Sequence, residues 1–182
     1  VQDLIGKWSG GLSILLRLTT TGTLRLLWTP DGATVNFKDS TVAVGATDGG
    51  RRAVAATIDV DNGAAGHDIR FFTADTKAGP WTQLGATVTT AGTTSVFSGA
   101  GAVRVGDSSG SMFAGKVYGA EVRSGIGASG VPGGTTVLDI DTSVLTSGAA
   151  TSFTATTGQT VTINRSTSGR KTVAVVAPCW LL

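Results

Sequence analysis

The feature that most constrains this sequence is the alternation of apolar and polar residues between Arg51 and Gly85, RRAVAATIDVDNGAAGHDIRFFTADTKAGPWTQLG. In the first run, every second residue from 52 onward shares one side: Arg52, Val54, Ala56, Ile58 and Val60. In the second run the same spacing groups His67, Ile69, Phe71 and Thr73. Successive side chains of a strand point to opposite faces of a sheet, so a period of two over this length predicts strands. The Asp-Asn-Gly sequence between the runs supplies the left-handed backbone angles of a reversal. The stretch therefore predicts an antiparallel hairpin, with a third strand after Gly-Pro-Trp.

The rest of the chain repeats this pattern in shorter units. Further strands are predicted over 1–8, 12–19, 23–28, 33–39, 81–88, 93–97, 102–106, 113–123, 136–141, 152–155, 159–164 and 172–176. With 27 glycines in 182 residues and only 14% charged residues, the composition favours short strands and tight turns. About a dozen short strands at a spacing of about ten residues are typical of a β-sandwich or jelly roll.

A glycine-rich break, GIGASGVPGG, occupies residues 125–134 and is the best internal boundary. It predicts a main part over 1–125 and a set of returning strands over 126–182. The second part either belongs to the same domain or forms an appendage that docks on a partner.

The charge and the rare residues exclude several classes of function. The net charge is +2 with basic residues scattered singly, so the sequence predicts no nucleic-acid partner. One cysteine and one histidine exclude an internal disulfide and multi-histidine zinc chemistry. We expect His67, next to a turn, to be a surface residue and not a base. No apolar run is long enough for a transmembrane helix, so no membrane span is expected.

Four segments together carry a family resemblance: AVAATIDVDNGAAGHDIRFFTADTKAGPWTQLG, AVRVG, FAGKVYGAEVRSGI and ATSFTATTGQTVTINRSTSGRKT. They resemble LamG-like domains of the concanavalin A-like lectin/glucanase superfamily, in the form found in minor tail and other virion proteins of actinobacteriophages. The resemblance covers nearly all of residues 1–175. It implies an all-β, antiparallel jelly-roll β-sandwich, a virion or extracellular location, and other virion proteins as partners.

Two departures from the family pattern bear on assembly. Members usually carry one or two strands before the position of Val1, and these are absent from the sequence. An incomplete sandwich leaves unpaired backbone groups, so we expect a homo-oligomer, a strand-completing neighbour or upstream residues to supply the missing strands. The apolar end APCWLL, residues 177–182, also departs from the pattern, and either docks on a partner or covers this domain's own core.

The sequence does not favour an enzyme. Glucanases of this superfamily use two closely spaced glutamates on one strand, whereas this chain has a single glutamate, Glu121. Asp139 and Asp141 share one strand face and are expected to be a solvated surface.

A calcium site is the candidate metal centre. Lectin-like sandwiches often bind Ca²⁺ at a loop rim through carboxylate and carbonyl oxygens. Asp59, Asp61 and Asn62 offer such oxygens at the predicted turn, and Asp107 could join them from another loop. The alternative is that these residues are turn formers only.

Carbohydrate binding needs exposed aromatic rings with polar neighbours. The candidates are Trp28, Trp81 and Tyr118, with Asp31 and Gln83 close to them in sequence. Core packing is the alternative for at least two of Trp8, Trp28 and Trp81.

These observations predict a non-enzymatic structural or adhesion protein of a phage virion, as a minor tail, fibre or capsid-surface component. The alternative is a carbohydrate-binding module that recognises a host cell-wall glycan. A third is a degenerate glycoside hydrolase.

Overall fold

A computed structural model describes residues 1–45, 50–165 and 171–175. Within these ranges the chain forms fourteen β-strands, two 3-10 turns (Ala128–Gly130 and Thr142–Val144) and no α-helix. The strands are β1 Gln2–Lys7, β2 Ile14–Leu18, β3 Thr23–Trp28, β4 Asn36–Ala43, β5 Ala53–Asp59, β6 Gly66–Ala74, β7 Thr82–Gln83, β8 Val88–Ala91, β9 Arg104–Val105, β10 Gly119–Ser124, β11 Thr135–Asp141, β12 Ser152–Thr154, β13 Thr160–Arg165 and β14 Lys171–Val175. The prediction of an all-β fold is confirmed.

One layer is a single sheet, here called the large sheet, with the strand order β12-β13-β14-β9-β1-β2-β3-β4. β1 lies inside it, paired with β2 on one side and with β9 on the other. The pairing of Ile5 with Val105 joins residues 100 positions apart. β4 and β12 are the two edge strands of this sheet.

The other layer consists of two smaller sheets. In the middle sheet, β6 pairs with β5 along one edge and with β7 and β8 along the other. The small sheet is β10 paired with β11. Every strand pair in the described ranges is antiparallel.

Two apolar clusters lie between the layers. The first joins the large sheet to the middle sheet and contains Leu16, Leu24, Leu26, Trp28, Ile69, Phe71 and Leu84. The second joins it to the small sheet and contains Val103, Val105, Leu138, Ile140, Ala155 and Val161. Ile5 packs against both clusters. This layered arrangement is compatible with a β-sandwich.

The predicted hairpin is present as β5 and β6, which pair from Ala53 with Ala74 to Asp59 with Asp68. Val54, Ala56 and Ile58 pack against the first cluster, as their shared parity predicts. The connection is longer than the tight turn expected from Asp-Asn-Gly, because six residues, 60–65, separate the two strands.

Some predicted strands differ in the structure. Residues 93–97 form no strand because their backbone bonds to different elements: Thr94 N donates to Val60 O and Phe97 N to Thr29 O. The segment 81–88 is divided between β7 and β8, and the segment 113–123 is strand only from Gly119 onward. The expectations for residues 176–182 lie outside the described residues.

Candidate binding surfaces

The first concave surface, which we call the His67 groove, has a volume of about 740 Å³. Its walls come from the end of β3, the start of β4, and β8 with the segment that follows it. Its lining includes Trp28, Phe37, His67, Thr90 and Thr94.

His67 is the most unusual residue of the groove, because it is 7% exposed and carries an unpartnered nitrogen. Its Nδ1 lies 2.7 Å from the carbonyl oxygen of Gly92, and its ring stands edge-on to Trp28 at 5.6 Å between centroids. A carbonyl oxygen only accepts, so Nδ1 carries a proton and donates it to Gly92 O. Nε2 and the Thr90 hydroxyl have no hydrogen-bond partner among the described residues. A buried polar atom without a partner is costly, so these two atoms are unusual polar positions in residues that line the groove.

Phe37 supplies an aromatic ring at the rim of the groove and is 51% exposed. The Arg25 guanidinium lies 4.3 Å from the centroid of this ring. Arg25 is itself held by two bonds to Asp39, of 2.6 and 2.7 Å. The ring is therefore backed by a fixed cation.

Two of the predicted ligand residues lie at or beside this groove but serve the fold. Trp28 is 1% exposed, and its indole N–H donates to Thr94 Oγ1 at 3.0 Å, so it packs as a core residue. Of the three tryptophans considered for the core, only Trp28 is fully buried in the described ranges. Asp31 accepts hydrogen bonds from Thr34 Oγ1 and from the backbone N–H groups of Ala33 and Thr34, which lower its pKa to about 2.

The second concave surface, which we call the interlayer cleft, has a volume of about 1280 Å³. It lies over the large sheet, between β5 and β10. Trp81 and the 49% exposed Tyr118 line it. Gln83 is exposed and bonds through Nε2 to Gly85 O and Thr87 Oγ1. The structure therefore does not gather the predicted ligand residues: Trp28 lines the His67 groove, Trp81 and Tyr118 line the interlayer cleft, and Asp31 and Gln83 line neither.

The predicted calcium residues lie apart: Asp61, Asn62 and Asp107 bond to backbone in two loops, and Asp59 belongs to a strand. Asp61 Oδ1 accepts from Gly63 N, and Asn62 Oδ1 accepts from Ala64 N and Gly66 N. Asp59, in β5, lines the interlayer cleft. Asp107 accepts from Gly110 N at 2.8 Å in a different loop. In the part of the chain that the structure describes, no three His, Cys, Asp or Glu side chains gather as a metal site.

Two carboxylates stand opposite each other on the small sheet, because Glu121 of β10 pairs in register with Asp139 of β11. Each has a cationic partner: Arg123 lies 2.8 Å from Glu121, and Lys77 forms an ion pair with Asp139. Glu121 also accepts from Thr136 Oγ1 at 2.6 Å. These contacts give both carboxylates an ion-pair partner on the face of the small sheet opposite the core residues Leu138 and Ile140, where Asp139 remains 22% exposed.

Three residues of the His67 groove were not recognised from the sequence. His67 was expected at the surface, but it is 7% exposed because it lies on the same face of β6 as Ile69 and Phe71, where its ring packs edge-on against Trp28. Thr90 gives no sequence signal of its own. Val35 and Phe37 alternate as a buried face would, yet both stay exposed at β4, the edge strand of the large sheet.

Comparisons with protein-family models, with curated proteins and with solved structures found no match. Within the described ranges, no helix has the length and apolar character needed to cross a bilayer.

Proposed function

We propose that this protein is a non-enzymatic structural and adhesion component of a phage virion, built as a jelly-roll sandwich of the LamG-like type. The resemblance of residues 53–85, 102–106 and 113–126 to that family supports the proposal, and the first and last of these segments contain β5, β6 and β10. Such a component works through contacts with neighbouring chains.

The observation that carries the proposal is the apolar edge of the large sheet. Phe37 and Val42 of β4 are each 51% exposed, and Val35, just before the strand, is 45% exposed. A free edge strand with exposed apolar side chains is a template for pairing with another chain. Only 14% of the residues are charged, so few like charges would repel each other when the chain packs against a neighbouring chain.

Immunoelectron microscopy tests the virion assignment. Antibodies raised against the 182-residue chain should label purified particles of the phage that encodes it, at the tail, at fibres or on the capsid. Particles that remain unlabelled, while the antibody detects the free chain in the same lysate, would overturn the assignment.

A surface variant tests the edge itself. Val42→Lys places a charge on the apolar edge and should reduce incorporation into particles at least tenfold, measured by quantitative immunoblotting of purified virions. Val144→Lys is the matched control, since Val144 is 54% exposed and lies in the second 3-10 turn, away from β4. Equal incorporation of both variants would remove β4 from the assembly surface.

The His67 groove favours a second candidate, binding of a host cell-wall glycan. Sugars stack on exposed aromatic rings and bond to fixed polar groups, and the groove offers Phe37 together with Nε2 of His67 and the Thr90 hydroxyl. Phe37→Ala should weaken binding of cell-wall polysaccharide at least tenfold by calorimetry, whereas Tyr118→Ala, in the interlayer cleft, should leave it unchanged. Absence of heat with wild-type protein of confirmed fold would reject this candidate.

A further inference from the structure

We propose that the interlayer cleft binds one extended β-strand of a partner polypeptide, about six or seven residues long, antiparallel to both β5 and β10. This inference goes beyond the proposed function, because it does not depend on where the protein is located.

The first observation is that two strand edges border the cleft. Within the described residues, β5 pairs only with β6, and β10 pairs only with β11. Each strand therefore leaves one edge without a neighbouring strand. Residues 51–60 and 119–123 both line the cleft, so the two free edges face the same space.

The second observation is the direction of the two strands. Arg51 lies two residues before β5 and Tyr118 immediately before β10, and the Arg51 guanidinium lies 4.4 Å from the centroid of the Tyr118 ring. Towards the other end, Thr57 of β5 donates to the carbonyl oxygen of Gly130, which follows β10. The two strands thus begin at the same end and run the same way. In an antiparallel sheet, strands that run the same way are second neighbours, with one strand of opposite direction between them.

The third observation is the chemistry of the cleft walls. Its floor includes Ile5, Leu16 and Leu26 of the large sheet. Its sides carry Val54, Ala56, Ile58, Ala120 and Val122, which pack on the two clusters but are only partly buried. On the opposite face of β10, Glu121 and Arg123 form an ion pair. A strand that fits has apolar side chains at alternate positions and polar ones between them.

The two free edges determine what the cleft binds. Backbone N–H and C=O groups along a strand edge pair with those of another extended chain, so a polypeptide strand is the occupant that fits both edges.

The charges at one end of the cleft indicate what the partner strand carries there. An inserted strand antiparallel to β5 would finish beside Arg51, and Lys116 lines the cleft close to the same end. In the described ranges, neither Arg51 nor Lys116 forms an ion pair. An acidic residue or a free carboxylate at the end of the strand would complement both cations.

The experiment uses a synthetic peptide, acetyl-Lys-Thr-Val-Thr-Val-Thr-Val-Asp, added to the 182-residue chain. Its binding should slow amide hydrogen exchange at least tenfold in β5 and β10, and should shift the fluorescence of Trp81, which lines the cleft. A peptide with proline in place of the second and third threonines cannot donate the same backbone bonds and should not bind.

A matched pair of variants locates the site. Ala56→Arg places a long charged side chain on the cleft wall and should abolish binding, whereas Val42→Arg on the β4 edge should leave it unchanged. The proline peptide keeps the test decisive if Ala56→Arg does not fold.

Protection at β4 or β12 alone, equal binding of the proline peptide, or no binding at all would overturn the proposal. A stable dimer of the chain alone, with β5 and β10 already protected, would instead make a second copy the occupant. None of these outcomes depends on the antibody labelling of virions.

Discussion

The buried carboxylate of Asp3 accepts hydrogen bonds from the polar loop that follows β9. Asp3 is fully buried, and its Oδ1 accepts from Arg17 Nε at 3.0 Å. Its Oδ2 accepts from the backbone N–H groups of Ser108 and Ser109 and from the Ser109 hydroxyl. The carboxylate therefore links β1, β2 and the loop that contains Asp107.

Asp3→Asn should lower the free energy of unfolding by about 3 kcal/mol, because it leaves the Arg17 charge without its buried partner. Urea denaturation measures the change. Asp39→Asn is the matched control: its ion pair with Arg25 is more exposed, so a loss below about 1 kcal/mol is expected. Equal losses in the two variants would contradict the role given to Asp3.

Asp68 makes stability depend on pH in acid. Hydrogen bonds from Thr89 Oγ1 and Asn62 Nδ2, followed by the Arg70 charge, lower the pKa of Asp68 below its ordinary value. A lowered pKa means that the folded state favours the carboxylate. The contribution is complete above the unfolded pKa of roughly 4 and is lost as the pH falls through the folded pKa.

Thr89→Val removes the largest of these causes, so the pKa of Asp68 should rise towards its unfolded value. The melting temperature of the variant should then fall less steeply than that of the wild type between pH 6 and roughly pH 2.5. Thr87→Val, which alters only an exposed hydroxyl bonded to Gln83, should keep the wild-type slope. Indistinguishable slopes in all three proteins would refute the assignment.

At the scale of elements, the glycine-rich segment 125–134 covers the outer face of the middle sheet. Gly130 has a φ of +75°, and a Cβ at this position would lie 2.2 Å from Arg70 Nη1. Its carbonyl also accepts the Thr57 hydroxyl at 2.8 Å. The segment expected to be a boundary thus holds two elements together.

Gly130→Ala should destabilise the protein by about 1–3 kcal/mol, because it combines a left-handed backbone with a side chain that displaces Arg70. Gly148→Ala is the control, since a Cβ there meets no atom within 4 Å. Thermal melting compares the two variants. A Gly130→Ala variant as stable as the wild type would mean that the segment does not pack against Arg70.

The sequence predicted most strands, because alternation is a local property that follows from the pleat. It matched β3 at both ends and placed Val54, Ala56 and Ile58 on the buried face. It could not predict that 93–97 bonds to two different elements, because that depends on which strands meet across the layers.

The candidate site was less predictable for the same reason. His67 is buried on the face of β6 that also carries Ile69 and Phe71. The alternation therefore indicated an inward position, and the expectation of a surface residue was wrong because it relied on the neighbouring turn. Asp61 and Asn62 were correctly placed in a turn, since their side chains bond to backbone within four residues. Contacts between residues close in sequence could thus be predicted from the sequence, whereas the surfaces formed between distant elements could not.

At the scale of the whole molecule, the two apolar clusters share the large sheet and meet at Ile5. We therefore expect one cooperative unfolding transition. The same substitution can be made in each cluster, because Ile69 and Ile140 are both fully buried. Ile69→Val and Ile140→Val should each cost about 1 kcal/mol and shift the same calorimetric peak. Two separated peaks in either variant would show that the clusters unfold independently.

The position of β1 between β2 and β9 also has a consequence for biosynthesis. β2 leaves the ribosome soon after β1, but β9 comes about a hundred residues later. At about 5–20 residues per second, β1 waits about 5–20 s before its second neighbour has been translated. During that interval a nascent chain presents β1 as an open edge, and the polysome holds many such chains close together. The large sheet can close only late in translation, so slow folding and a need for chaperones during synthesis follow from its strand order.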